Sequence, residues 1–219
     1  MLGPVLTVSV LGPVDAVRDG VRLDVPAGKT SELLARLALS AGAHVRADVL
    51  IEDLWAAAAG RNTLQSKVSQ LRRALGDRDV VVGDRDGYVL ALDPACVDAV
   101  RAVRLASEAA LAGDAGDPAE ALERAREALA LFRGDVLVDA GDWAAPHRTR
   151  FEEVRLGLVE RVMAARVELG AGSDVVADLE ALVAEHPLRE GLWTALVTAL
   201  YRAGRQADAL AAWEAGWMC

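Results

Sequence analysis

Between Ala56 and Gly76 the chain carries no Asp or Glu, although its 219 residues include 33 of them. Within that acid-free gap Gly60 and Gly76 bracket a segment in which Leu64, Val68, Leu71 and Leu75 recur at spacings of four, three and four. This periodicity predicts one short amphipathic helix with a single apolar stripe. Its polar positions are Arg61, Asn62, Thr63, Gln65, Ser66, Lys67, Ser69, Gln70, Arg72 and Arg73. A face made of amides, hydroxyls and guanidinium groups suits a polyanion with readable edges, which describes the major groove of DNA. An ordinary solvated helix face is the plain alternative for such a helix taken alone, so its neighbours decide between the two.

Those neighbours build a recognisable frame. Val5 to Leu11 alternates as a strand ended by Gly12-Pro13, and Val21 to Val25 follows the Asp19-Gly20 turn as a second strand. A helix opens near Pro26–Ser31, with Thr30 or Ser31 as its cap and Leu33, Leu34, Leu37, Ala38 and Ala41 on its apolar face. Gly28-Lys29-Thr30 resembles the end of a phosphate-binding loop. That motif needs glycine at position 23, where Leu23 stands, and no hydrophobic strand leads into it, so no nucleotide site is expected. Gly42 ends the helix. Asp48 caps the next, Val49 to Ala58, which turns Leu50, Ile51, Leu54 and Trp55 inward. The acid-free helix follows at once, giving a helix-turn-helix arrangement. Val80–Val82 and Tyr88–Leu92 flank a charged tip, Gly83 to Gly87, and form a hairpin placed as a wing beside the reading helix.

Charge is uneven along the chain. Up to residue 95 there are 11 Lys and Arg against 12 Asp and Glu; beyond it there are 13 against 21, within a net charge of −9. The acidity belongs to the second half, and an electrostatic contact depends on the local field rather than the total. Cys96 and Cys219 make no metal or CxxC spacing and read as free thiols in a reducing cytosol. The apolar start, Met1 to Val14, lacks a preceding basic residue and is broken by Gly12-Pro13, so it is not read as a signal peptide. No stretch suits a membrane span, and the expected location is cytoplasmic. His44, His147 and His186 stand apart without ligand spacing, no nucleophile motif is present, and neither an enzyme nor a cofactor is expected.

Asp93-Pro94 marks a boundary, and the chain beyond it is helical. Val97–Ala112 and Pro118–Phe132 form a pair, with Asp117 capping the second at Pro118. A loose stretch, Arg133–Ala144, precedes a long helix from Pro146 to Arg166 with Phe151, Val154, Leu158 and Val162 on one side. Ser173–Glu185, Leu188–Arg202 and Gln206–Ala215 complete the set. Trp193, Leu196, Leu200, Gly204, Ala209 and Trp213 follow the spacing of a tetratricopeptide repeat. Trp143, Trp193 and Trp213 are expected to pack inside; Trp217 is the exception, left exposed or buried in a partner, and Gly216 is expected to break the last helix.

Asn62-Thr-Leu-Gln65, Val68 to Leu75 and Gly87-Tyr88 resemble the winged helix of the OmpR/PhoB type. With Val8 to Pro13 and Leu50 to Trp55, the set is closer to the actinobacterial antibiotic regulatory proteins (SARPs). Phe132 to Asp135, His186 to Glu190 and Leu200 to Gln206 resemble the bacterial transcriptional activator domain that follows the winged helix in that family. The resemblance implies an α+β winged helix-turn-helix domain over residues 1–93 and an all-α, TPR-like helical repeat domain over 96–219, mainly α overall. It also implies a sequence-specific DNA-binding regulator that recruits RNA polymerase to a promoter. Gln65, Ser66, Gln70 and Arg73 would face base edges; Arg61, Asn62, Thr63, Lys67 and Arg72 would hold phosphates, with Ser69 on the same face and Arg85 at the wing. Half-site repeats would need two protomers, which predicts a homodimer on double-stranded DNA.

Two departures keep other readings open. Asp84 and Asp86 stand where relatives carry neutral or basic residues, so either Arg85 alone inserts or the wing is not used in the usual way. A protein-interaction module whose winged helix has lost DNA affinity would also fit those acids and the net charge. Relatives continue past the position of Cys219, so the chain also fits the N-terminal part of a larger regulator.

Overall fold

The computed structural model describes residues 6–171 and 173–217. Val5, at the start of the expected first strand, and Cys219 lie outside them, as does the side chain of Trp217. The chain packs into two compact units: residues up to Arg104 together with Ala130–Glu153, and Leu105–Leu129 together with the chain from Val154 onward.

The first unit begins with three short strands, β1 (Leu6–Ser9), β2 (Asp15–Arg18) and β3 (Val21–Arg22), paired antiparallel in that order. The β2–β3 hairpin stands where the sequence predicts a single strand, Val21–Val25. Asp19 and Gly20 both take positive φ, 50° and 80°, as the tight turn between them requires. Three helices follow: α1 (Lys29–Ala38), α2 (Ala47–Trp55) and α3 (Arg61–Leu75). Between α1 and α2 lies β4 (Val45–Arg46). After α3 come β5 (Val81–Gly83) and β6 (Gly87–Leu90), and the second sheet runs β4-β6-β5. Val81 pairs with Leu90 and Gly83 with Tyr88, so the hairpin is in register to its tip.

Two expected caps are corrected. Gly28 is the N-cap of α1, without a side-chain bond; Thr30 sits inside the helix, fully buried, and Ser31 is likewise helical. The N-cap of α2 is Arg46, and Asp48 lies in the first turn, where its carboxylate pairs with the Arg46 guanidinium at 2.6 Å. An acid there still meets the positive end of the helix. One core joins Val8, Val10 and Leu11 to Leu33, Leu34, Leu37, Leu50, Leu54 and the stripe Leu64, Val68, Leu71 and Leu75. Each such side chain contributes roughly 1.5–3 kcal/mol by leaving water.

Residues 130–153 bury Val136, Leu137, Ala144 and Phe151 in the same core. Asp98, at the start of α4 (Asp98–Asp114), accepts from the Val10 amide at 2.8 Å and the Leu11 amide at 3.0 Å, anchoring the end of β1. Burial pushes its carboxyl above the usual Asp range, against the pull of those amides and of Arg133.

The second unit holds the rest of α4, α5 (Pro118–Leu129), the larger part of α6 (Ala145–Glu168), α7 (Ser173–Glu185), α8 (Glu190–Arg202) and α9 (Gln206–Trp217). The Asp117 carboxylate caps α5 by accepting from the Glu120 amide at 3.0 Å. Val175, Val176, Leu179, Leu192, Leu196, Leu200 and Ala209 form the core of α7, α8 and α9. Gly216 does not break α9, which runs on through Trp217. A Cβ at Gly216 would stand 3.0 Å from the Trp193 ring, so glycine lets the two helices approach. Trp143 and Trp193 are half-buried, whereas Trp213 is 52% exposed rather than interior.

Candidate nucleic-acid interface

The apolar stripe of α3 is buried against α1 and α2, and this fixes what its other positions present. Asn62, Ser66, Ser69 and Arg73 repeat the spacing of four, three and four on the opposite side, about 180° around the helix axis. All four are exposed, as are Arg61, Thr63 and Gln65, while Lys67, Gln70 and Arg72 are half-buried. The N-terminus of α3 starts at Gly60 with no side-chain cap and no acid in its first turn, leaving amide donors directed outward.

Several of these residues are engaged within the protein. Arg72 donates from Nε and Nη2 to the Val81 carbonyl, at 2.8 and 2.6 Å. Arg61 donates from Nη1 to the Arg85 carbonyl at 2.9 Å. The two guanidinium groups thus tie α3 to the wing at the base of β5 and at the tip. The Gln70 Oε1 accepts from the Thr30 hydroxyl at 3.2 Å and from the Lys67 ammonium at 3.1 Å. Ser69 back-bonds to the Gln65 carbonyl at 2.9 Å.

At the wing tip Asp84 turns toward its own loop. Its Oδ1 accepts from the Asp86 amide at 2.8 Å and the Gly87 amide at 2.9 Å, and lies 3.2 Å from His44 Nε2. Those amides, and then the imidazole, hold its carboxyl below the usual range. The acid therefore shapes the turn, and Arg85 and Asp86 are exposed at its tip. Gly87 is required sterically, because a Cβ there would sit 2.1 Å from the Val45 carbonyl oxygen.

A cleft of about 480 Å³ opens at the C-terminal end of α3, lined by Ser69, Arg72, Arg73, Gly76, Asp77 and Arg78. Arg78 adds an exposed cation that the helix pattern could not reveal, since it lies beyond Gly76. Thr30, His44 and Val81 also shape the site through partners 9 to 40 residues away, and no local motif marks them. Among the described residues there is no group of three side chains suited to hold a metal ion, and no helix is long and apolar enough to cross a membrane.

Known proteins match this arrangement along nearly the whole chain. Residues 97–218 match the family described as bacterial transcriptional activator domain. The regulatory protein DnrI of Streptomyces peucetius is 36% identical over 94% of this chain and 82% of its own length. The regulatory protein AfsR of Streptomyces coelicolor is 41% identical over 94% of this chain, which spans 21% of that longer protein. The structure of Mycobacterium tuberculosis EmbR, solved with a low-affinity phosphopeptide, superposes with a TM-score of 0.88 at 32% identity, over 97% of this chain and 59% of that one. These relatives are regulatory proteins. The chain belongs to the SARP-type transcriptional regulators, in which an OmpR/PhoB-like winged helix precedes a bacterial transcriptional activator domain.

Proposed function

We propose that α3 enters the major groove of double-stranded DNA with Asn62, Ser66, Ser69 and Arg73 toward the base edges. The carrying observation is the exposed, acid-free stripe opposite the buried one. Arg73 offers the planar fork that pairs with guanine O6 and N7. Thr63, Gln65, Lys67, Arg78 and the open N-terminus of α3 lie where phosphates flank an inserted helix. Arg61 and Arg72 keep their positive charge near the surface while holding the wing in place, and Arg85 extends from the tip toward the adjacent backbone. The helical unit makes the protein contacts, with RNA polymerase as the partner, and two protomers occupy a repeated half-site in the cytoplasm.

Fluorescence anisotropy with a labelled duplex across a salt series tests this. Observed affinity should fall linearly on a log–log plot, and Arg85→Ala should lower the slope by about 1 for a lost phosphate contact. Absence of any salt-dependent binding at low ionic strength would overturn the reading and leave a winged helix retained for its fold.

A further inference from the structure

Gln70 is placed differently from the rest of the polar face. It is half-buried on the flank of α3, and its amide is held from two sides. Thr30, fully buried in α1, directs its hydroxyl to Gln70 Oε1 at 3.2 Å, and Lys67, one turn before, places its ammonium 3.1 Å from the same atom. An ammonium has donors only, so the atom it meets has to be the carbonyl oxygen. This settles by chemistry which end of the amide is which, a choice that shape alone leaves open. The amide nitrogen makes no hydrogen bond among the described residues, and both of its protons remain available.

We infer that Thr30 and Lys67 lock Gln70 so that it offers DNA a donor alone, making it a specificity-determining residue that selects a base edge rich in acceptors. A free glutamine pairs bidentately with adenine, accepting from N6 and donating to N7. The locked one lacks the accepting half, because Oε1 already serves two donors. Guanine presents two acceptors, O6 and N7, in the major groove, whereas cytosine presents an amino donor that faces the Gln70 protons unfavourably. The selected base is guanine and the excluded one cytosine. The inference rests on the DNA-binding reading above and adds which edge one side chain takes.

Selection from a randomised duplex pool, followed by quantitative binding, tests it with four proteins. Wild type should enrich a defined site. Gln70→Ala should lose preference at a single position by roughly tenfold, leaving the others unchanged. Gln70→Glu keeps one oxygen for Thr30 and Lys67 and replaces the outward donor by an acceptor. Its preference at that position should move from guanine to cytosine, on top of a uniform loss of affinity from the added charge. Thr30→Val, of similar shape, releases one side of the lock and should admit adenine there. No enrichment by wild type would overturn the DNA-binding reading and this inference together. Wild-type enrichment with no position altered by Gln70→Ala, or with adenine preferred at the altered one, would overturn this inference alone.

Discussion

Arg72 and Arg73 are adjacent arginines on α3, and the structure gives them different surroundings. Arg72 is half-buried and delivers two donors to the Val81 carbonyl, at 2.8 and 2.6 Å, where β5 begins. Arg73 is exposed and belongs to the outward stripe. Arg72→Ala removes a hydrogen bond from a charged group to a buried backbone acceptor, a loss of about 1.5–3 kcal/mol. For a chain of this size each kcal/mol shifts Tm by about 2–4 °C, so the melting point should drop by about 3–12 °C. Arg73→Ala removes no side-chain hydrogen bond or ion pair among the described residues and should move Tm by less than about 2 °C. It should weaken binding to the preferred duplex by about 1–3 kcal/mol, relaxing one base position. Arg72→Lys keeps the charge but not the planar fork, and should recover DNA affinity better than stability. Circular dichroism melting beside anisotropy separates the two readouts. The reasoning fails if Arg72→Ala melts with wild type, or if Arg73→Ala destabilises as much as Arg72→Ala does.

The buried Asp98 carboxylate supplies the remaining predictions. Asp98→Ala leaves the Val10 and Leu11 amides without their acceptor and should cost about 1–3 kcal/mol by chemical denaturation, while a duplex-binding assay on the folded fraction stays near wild type. Its pH dependence has the sign opposite to that of a salt-bridged aspartate. Burial raises the folded carboxyl above the unfolded value of about 3.9, so its contribution is full below that pH and declines as pH rises to the folded value. The stability difference between wild type and Asp98→Ala should therefore shrink across that window, and a difference that grows with pH would contradict the assignment.

The limits of α3 were legible because two signals agreed: a four-three-four stripe and a glycine at each end. Gly76 in fact takes the left-handed C-cap. The β2 strand was hidden because charged Asp15 and Arg18 bracket its one buried residue, Ala16, leaving too short an alternation to see. Gly216 was read as a helix breaker from local propensity, but its place is set by a Trp193 ring more than twenty residues away. The loose stretch before α6 was legible as irregular, though not as part of the first unit's core. Its anchors, the Arg133 amide on the Leu11 carbonyl at 2.7 Å and Trp143 Nε1 on Glu32 at 3.4 Å, join residues more than a hundred apart. At the site, the polar face was visible as a set. Its division into outward and structural members required knowing where Val81, Thr30 and the Arg85 carbonyl lie. The wing acids changed meaning for the same reason: Asp84 serves the Asp86 and Gly87 amides, and so builds the turn that carries Arg85.

The proposed DNA contact is α3 seated in the major groove. Methylation interference on the selected duplex tests it directly, because guanine N7 lies in the major groove and adenine N3 in the minor. N7 methylation of guanines within each half-site should block binding, and Arg73→Ala should lose interference at one of those guanines. Interference confined to adenine N3, or none at any guanine N7 despite tight binding, would contradict it.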